Sequence, residues 1–402
     1  MDEQMELFEA SASAVGYLFQ LRKALLHCVE QSSAGLDWSV AVEAGDDIEV
    51  HEGDGKILYQ LKHRTPGTRV TDLAVDLWKS LRIWAAEWAT TDDGQDRPTY
   101  FLLTTAEAPA GSAAYHLRPP GPNSPRDVAK ALELLDQARD RSTSKANRAA
   151  YQAWDALPAD QRLGLIGRVR VLDEAPDIDE TTQQLLRLAA LAVGREFAKP
   201  FLERLDGWFF QKVVAQLRNR SAGPVTGLEF DQMFSDRRDS FRPDNLPIDD
   251  DVEEMVDDGV DRGDRTFVRQ LHLMGIGDNR VRRAVSDYLR AFTQRSRWVN
   301  DNLLRPGELG RYERRLVEEW STRFDVICDE LGEEAAEEDK VRKAKAIYRW
   351  VEQEARFRIR PGCDEPFVTK GSYQILADDL RVGWHPDFEA RLMALLEPVS
   401  GG

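Results

Sequence analysis

The stretch from Trp38 to Arg64, WSVAVEAGDDIEVHEGDGKILYQLKHR, decides how this chain folds. In its first run Trp38, Val40 and Val42 alternate with Ser39, Ala41 and Glu43, the period-two pattern of a strand with one face in a core. Ala44-Gly45 reads as a turn. Beyond it Ile48 and Val50 point to the core, and Asp47, Glu49 and His51 fall on the opposite face. Gly53-Asp54-Gly55 supplies a second turn of the kind that joins neighbouring antiparallel strands. In the third run Ile57, Tyr59, Leu61 and His63 share one side, while Leu58, Gln60, Lys62 and Arg64 share the other. Gln60 and Lys62 therefore project together, with Asp47 placed to sit beside them across the ladder.

Those residue types suit hydrolysis of a phosphodiester. The reaction calls for a hard cation to draw charge from the phosphoryl oxygens, and Mg²⁺ takes oxygen ligands at about 2.1 Å. Asp47 and the side-chain oxygen of Gln60 are candidate ligands, with Glu43 as an extra one. Lys62 is a compact cation, suited to orienting a water or offsetting charge that builds up at phosphorus. On spacing alone the pattern also fits an ordinary hairpin with a solvated polar face.

Order along the chain adds a resemblance. Gly16-Tyr17 and Gln20 on a helix, then Glu43 with Asp46-Asp47, then Gln60-Leu61-Lys62-His63, then Leu77-Trp78-Lys79 and Trp88 resemble the Cap4-type double-stranded DNA endonuclease domain of the PD-(D/E)xK superfamily. The resemblance implies a restriction-endonuclease-like α/β core and a catalytic set of Asp47, Gln60 and Lys62. It implies Mg²⁺ or Mn²⁺ held by Asp47, Gln60 and Glu43, with Glu43 and Gln20 as supporting residues. Gln60 stands where Glu is commoner in that superfamily, which lowers the negative charge at the metal.

The chain has 402 residues, enough for two or three domains with cores of their own. At 42% hydrophobic and 31% charged residues it reads as a globular protein, not a disordered one. No apolar run approaches a membrane span, and the acidic start MDEQMELFEA reads as neither signal nor transit peptide. Cys28, Cys328 and Cys363 are isolated, odd in number and without metal spacing. A reducing, cytoplasmic location follows as the expectation, with no membrane partner. The net charge of −17 opposes tight nucleic-acid binding by the free chain. Either the acidic charge is concentrated elsewhere, for which the tracts Asp249–Asp264 and Glu330–Asp339 are candidates, or assembly supplies the DNA-binding surface.

Apolar spacing predicts a helix from Val15 to Val29, with Gln20 on a second strip beside Gly16, Lys23 and His27. Thr71 is placed to cap another helix, whose Leu73, Leu77, Leu81, Trp84 and Trp88 form a core stripe. PTYFLLTT at Pro98–Thr105 reads as a buried strand that completes a four-stranded core. Past the linker PPGPNSP at Pro119–Pro125 come helical segments near Ala129–Ala138 and Ala146–Trp154, and an extended GRVRVLD at Gly167–Asp173.

From about Phe197 the pattern is nearly all helical. Its ordered segments, ending in FVTKGSYQILADDLRVGWHPDF, resemble the C-terminal domain of ABC three-component conflict systems of the Lamassu-like antiphage group, over most of residues 197 to 395. His385 and Asp387 in that ending are expected in a packed chain reversal, and Gln294, Arg295 and Arg297 beside Trp298 in pairing with acids. No GxxxxGK[ST] stretch is present, so an ATPase would have to be a separate subunit.

The expected fold class is thus α+β: a PD-(D/E)xK core with a helical extension over 1–195, then a mostly α-helical docking domain over 196–402. The expected function is an effector endonuclease of double-stranded DNA. The resemblance implies an SMC-like ABC ATPase and a small accessory subunit that hold it in check, and a homo-oligomer when active. Two rival readings are a catalytically silent adaptor and a nuclease paired with a HerA-like translocase.

Overall fold

The protein is seen here as a computed structural model that describes residues 2–91, 97–122, 124–256, 265–332 and 334–396. It is divided into two compact units, Met1–Asp236 and Arg237–Gly402. The first is built on a mixed six-stranded sheet with helices, and the second is mostly helical.

In the first unit helix α1 (Asp2–Gln31) leads into the meander β1 (Trp38–Val42), β2 (Ile48–Glu52) and β3 (Gly55–Lys62). Helix α2 (Val75–Thr90) crosses to β4 (Thr99–Thr104). Then follow α3 (Ala113–His116), α4 (Val128–Arg141), α5 (Arg148–Asp155), α6 (Ala159–Arg168), β5 (Val169–Leu172), α7 (Ile178–Val193), α8 (Ala198–Arg218), β6 (Val225–Thr226) and α9 (Gly227–Ser240). Sheet order is β5-β4-β3-β2-β1-β6, antiparallel from β6 to β3 and parallel from β3 to β5.

The sheet is larger than the four strands expected by residue 105. Val169–Leu172, read as strand or extended connection, adds the parallel strand β5. Val225–Thr226, inside the stretch read as helical, pairs with Ser39 and Val40 at the other edge. Two residues carry no periodicity, so β6 has no sequence signal of its own. Together with α8, which packs on α7 and β1, that pairing ties residues 197 to 236 to the sheet. The boundary between the units consequently falls at 236/237, whereas the change in composition falls near 196.

Helix α2 also starts later than its sequence suggests. Its N-cap is Ala74 with no side-chain cap, and Thr71 instead offers its carbonyl to Ala74 N–H in the preceding turn. Leu73 is left half exposed, while Leu77, Leu81, Trp84 and Trp88 are buried as expected.

Helices cover both faces of β3. On one face His27 and Phe19 of α1 lie against Tyr59 and His63. On the other, Leu58, Tyr100 and Leu102 join Leu77, Leu81 and Trp84 of α2 in one cluster. Gln60, expected on a polar face, is therefore 4% exposed, beneath α2. A central strand between two parallel or antiparallel neighbours has no free face unless helices leave one.

The second unit holds α10 (Asp250–Glu253), α11 (Thr266–Leu273), α12 (Asp278–Asn300), α13 (Glu308–Leu331), α14 (Glu337–Gln353), α15 (Pro366–Asp378) and α16 (Phe388–Leu396). Gln294, Arg295 and Arg297 on α12 do pair internally: with Asp249, with Glu313, and with Asp249 and Asp251. Asp249 is accordingly buried and not part of a solvated tract, and residues 257–264 of that tract lie outside the described residues, as does residue 333 of the second. Nor is the negative charge gathered in this unit. Residues 1–236 contain 26 Lys and Arg against 36 Asp and Glu, which is −10 of the total −17.

Candidate active site

The polar residues of the first unit gather where β3 ends and the turn before β2 meets it. This is also the C-terminal end of the parallel strands β3 and β4, where open sheets with parallel strands leave room for ligands. The antiparallel ladder between β2 and β3 stops at Ile48 and Tyr59. Beyond it, the Asp47 carboxylate takes the place of a backbone carbonyl and accepts the Leu61 N–H at 2.7 Å. That bond fixes Asp47 next to its strand neighbours. Lys62 Nζ stands 3.4 Å from Asp47 Oδ2 and donates to Gln60 Oε1 at 2.8 Å, while Gln60 Nε2 lies 3.4 Å from Asp47 Oδ1. Asp47, Gln60 and Lys62 are thus brought together, as the alternation of the strands requires.

Asp46 is the residue that alternation did not select. It precedes β2 in a bend, so the period of two does not yet govern it, and its side chain reaches the same side as Gln60. It accepts hydrogen bonds from Gln60 Nε2, from Trp84 Nε1 at 2.8 Å and from Asp47 N–H at 3.1 Å. The sequence held one usable signal: a doublet of acids directly before an apolar strand cannot send both carboxylates to solvent if the strand is central.

Glu43 closes β1 with φ of 54°, in the left-handed region that a non-glycine residue occupies only where its surroundings hold it. Its N–H bonds the Asp47 carbonyl at 3.1 Å across the turn. The Gln20 side chain on α1 lies beside the Glu43 carboxylate just past β1 and acts to lower its pKa, so the structure brings these two residues together. The Glu43 carboxyl is raised above its usual range by burial first and by the Asp47 charge second. Asp46 is pushed up to about 7, chiefly by burial, against the opposing pull of the Trp84 hydrogen bond.

Three carboxylates therefore face one ammonium, and two of them are held above their ordinary range. That donor set fits a hard divalent cation, which takes carboxylate and amide oxygens and would offset the cost of burying charge that, more than the Asp47 charge, raises these groups. Asp47, Gln60 and Glu43 would hold it.

A second group of ligand-type side chains behaves differently. Glu337, His385 and Asp387 of the second unit place ligand atoms within 4.8 Å of one another. His385 Nδ1 there accepts the Asp387 N–H at 3.1 Å, which leaves Nε2 to carry the proton of the neutral ring. Arg391 and Lys340 hold the carboxyls of Glu337 and Asp387 below their usual range. His385, 3% exposed, sits in a packed reversal, its Nε2 3.4 Å from Glu337 and without a hydrogen-bond partner among the described residues.

Residues 267–392 match a described protein family, C-terminal domain 7 of the ABC-three component (ABC-3C) systems. The chain is a component of an ABC three-component system. The matched ABC-3C domain spans α11 to α15 and the start of α16, and begins well after the 197 from which the sequence resemblance was drawn. No curated protein and no solved structure matches the chain. No helix among the described residues is long and apolar enough to cross a membrane.

Proposed function

We propose that this chain is the effector endonuclease of a Lamassu-like antiphage ABC-3C system. In this reading the first unit is a Cap4-type PD-(D/E)xK domain that hydrolyses double-stranded DNA with Mg²⁺ or Mn²⁺. The observation that carries the reading is the junction of Asp47, Gln60 and Lys62 at 2.8 to 3.4 Å, beside two carboxylates whose raised affinity for protons marks an unmet need for positive charge.

The side chains have distinct tasks. Asp47, fixed through Leu61 N–H, Gln60 and Glu43 supply hard oxygens. A bound divalent cation would draw electron density from the scissile phosphate. Lys62, tied to both Asp47 and Gln60, holds its ammonium where it can position a water and offset charge on the phosphoryl oxygens. Trp84 and Asp46 fix the buried side of Gln60 and keep its amide from rotating.

With a surplus of ten acidic residues in the same unit, phosphate contacts have to come from assembly. Self-association of the nuclease units and docking through the C-terminal domain to an SMC-like ABC ATPase and a small accessory subunit would provide them. Such docking also supplies restraint, since an unregulated nuclease would cut its own chromosome.

A silent adaptor is the second reading, and one observation favours it: Asp46 accepts from both Gln60 and Trp84, and Gln60 accepts from Lys62, so these side chains are partnered as they stand. Plasmid DNA incubated with the chain, its co-purified partners and Mg²⁺ or Mn²⁺ separates the two. Cleavage that disappears in Asp47→Ala and Lys62→Ala with the assembly intact supports the nuclease. Defence that survives both substitutions supports the adaptor, and co-purification of a hexameric translocase would replace the SMC-like partner by a HerA-like one.

A further inference from the structure

The second unit contains a cavity of about 500 Å³ between α12, α14 and α15, in the size range of small-ligand sites. Three of its lining cations, Arg283, Arg349 and Lys370, make no ion pair and no side-chain hydrogen bond among the described residues. Elsewhere in this unit Arg295, Arg297, Arg358, Arg360 and Arg381 are paired with acids. A fourth cation, Arg280, is held by Glu352 and lies 5.3 Å over the Tyr348 ring, so it forms part of the wall. Asp287 faces Lys370 and Arg283 without an ion pair to either, and with Glu352 engaged by Arg280 the lining keeps an excess of positive charge that an anion would offset.

The cavity also has a polar floor. Gln374 is 2% exposed, and its Oε1 has no hydrogen-bond partner among the described residues. A buried acceptor without a donor costs stability until something supplies one. Asp287 lines the same cavity, its carboxyl raised by burial despite the nearby charge of Lys370, and offers a second acceptor. An occupant thus needs concentrated negative charge at one end and an N–H or O–H donor at the other.

We propose that this cavity binds a nucleotide, with phosphate against Arg283, Arg349 and Lys370 and a donor of its sugar or base on Gln374. Two arginine forks and an ammonium match the several oxygens of a phosphate better than the two of a single carboxylate. An acidic segment of a partner protein is the competing occupant. The inference does not depend on nuclease activity, and it would give the docking unit a small-molecule input.

Calorimetric titration of the full chain with AMP, ATP, pyrophosphate and adenosine tests this, in EDTA and in an Asp47→Ala background so that the first unit contributes nothing. AMP and ATP are expected to bind, and adenosine at least about tenfold more weakly. Arg283→Glu and Arg349→Glu, both at exposed positions, should weaken AMP and ATP about tenfold or more, with the ligand-free melting temperature unchanged. Gln374→Leu should weaken AMP and leave pyrophosphate as it was. The proposal fails if neither nucleotide binds at about 1 mM, if adenosine binds as well as AMP, or if the arginine variants bind normally. Binding of a glutamate-rich peptide by a chain that ignores nucleotides also overturns it.

Discussion

Two carboxylate sites, one in each unit, differ in how their charge is met. In the second unit Glu308 accepts Arg360 at 2.9 and 2.8 Å and Arg305 N–H at 2.8 Å, and Arg360 spends its other donors on the carbonyls of Asn245 and Leu303. The Arg360 hydrogen bonds hold Glu308 below its usual range. In the first unit Glu43, Asp46 and Asp47 share Lys62, and burial raises Glu43 and Asp46. An ion pair such as Glu308 with Arg360 is compensated on the spot, whereas under the proposed reading the first-unit carboxylates gain their counter-charge from a bound cation. The shift by itself does not mark a site, since Asp206 is raised by burial even though Arg22 pairs with it; the convergence of Asp47, Gln60 and Lys62 is what distinguishes the first-unit cluster.

The largest expected difference concerns activity. Asp47→Ala or Lys62→Ala should reduce cleavage by about 10³-fold or more while the melting temperature moves little. Plasmid nicking alongside calorimetric melting checks this, and a variant that unfolds instead would place the cluster with the structural pairs. Next comes stability in the second unit: Glu308→Ala strands a buried guanidinium and should cost about 3–5 kcal/mol in denaturant unfolding. A loss below about 1 kcal/mol would erase the contrast.

The third expectation is a dependence on pH. Between about pH 4 and pH 7 the folded protein keeps a proton on Asp46 that the unfolded chain has lost, so stability falls as pH rises through that window. The decline is at most about 4 kcal/mol and should flatten in Asp46→Asn. The smallest effect sharpens the metal argument without any turnover. At about fivefold its Kd, Mg²⁺ should add about 1 kcal/mol to stability above pH 7 and nothing in Asp47→Ala; equal stabilisation of both proteins would remove the cation from this site.

Much of the architecture was legible one element at a time. The three strands, their turns and the shared side of Gln60 and Lys62 follow from a period of two that runs unbroken over five or more residues. The tryptophans of α2 were readable as core because their helical spacing matches Leu77 and Leu81. Shorter or bent pieces left no such trace. β6 spans two residues, Asp46 precedes the strand whose alternation would describe it, and Thr71 resembles a cap although the chain turns once more before α2 begins.

By itself, the sequence determined which side chains share a strand face, because backbone geometry makes alternation a local property. It determined too that the second half would be helical, from spacing that each segment carries within itself. Only the tertiary structure decided that the Gln60 face lies beneath a helix and that two acids, not one, meet there. It alone decided that residues 197 to 236 belong with the sheet and that three cations with no ion pair among the described residues line one cavity. Burial, charge compensation and pairing between distant segments arise from what packs against what, and no local pattern of residues encodes that.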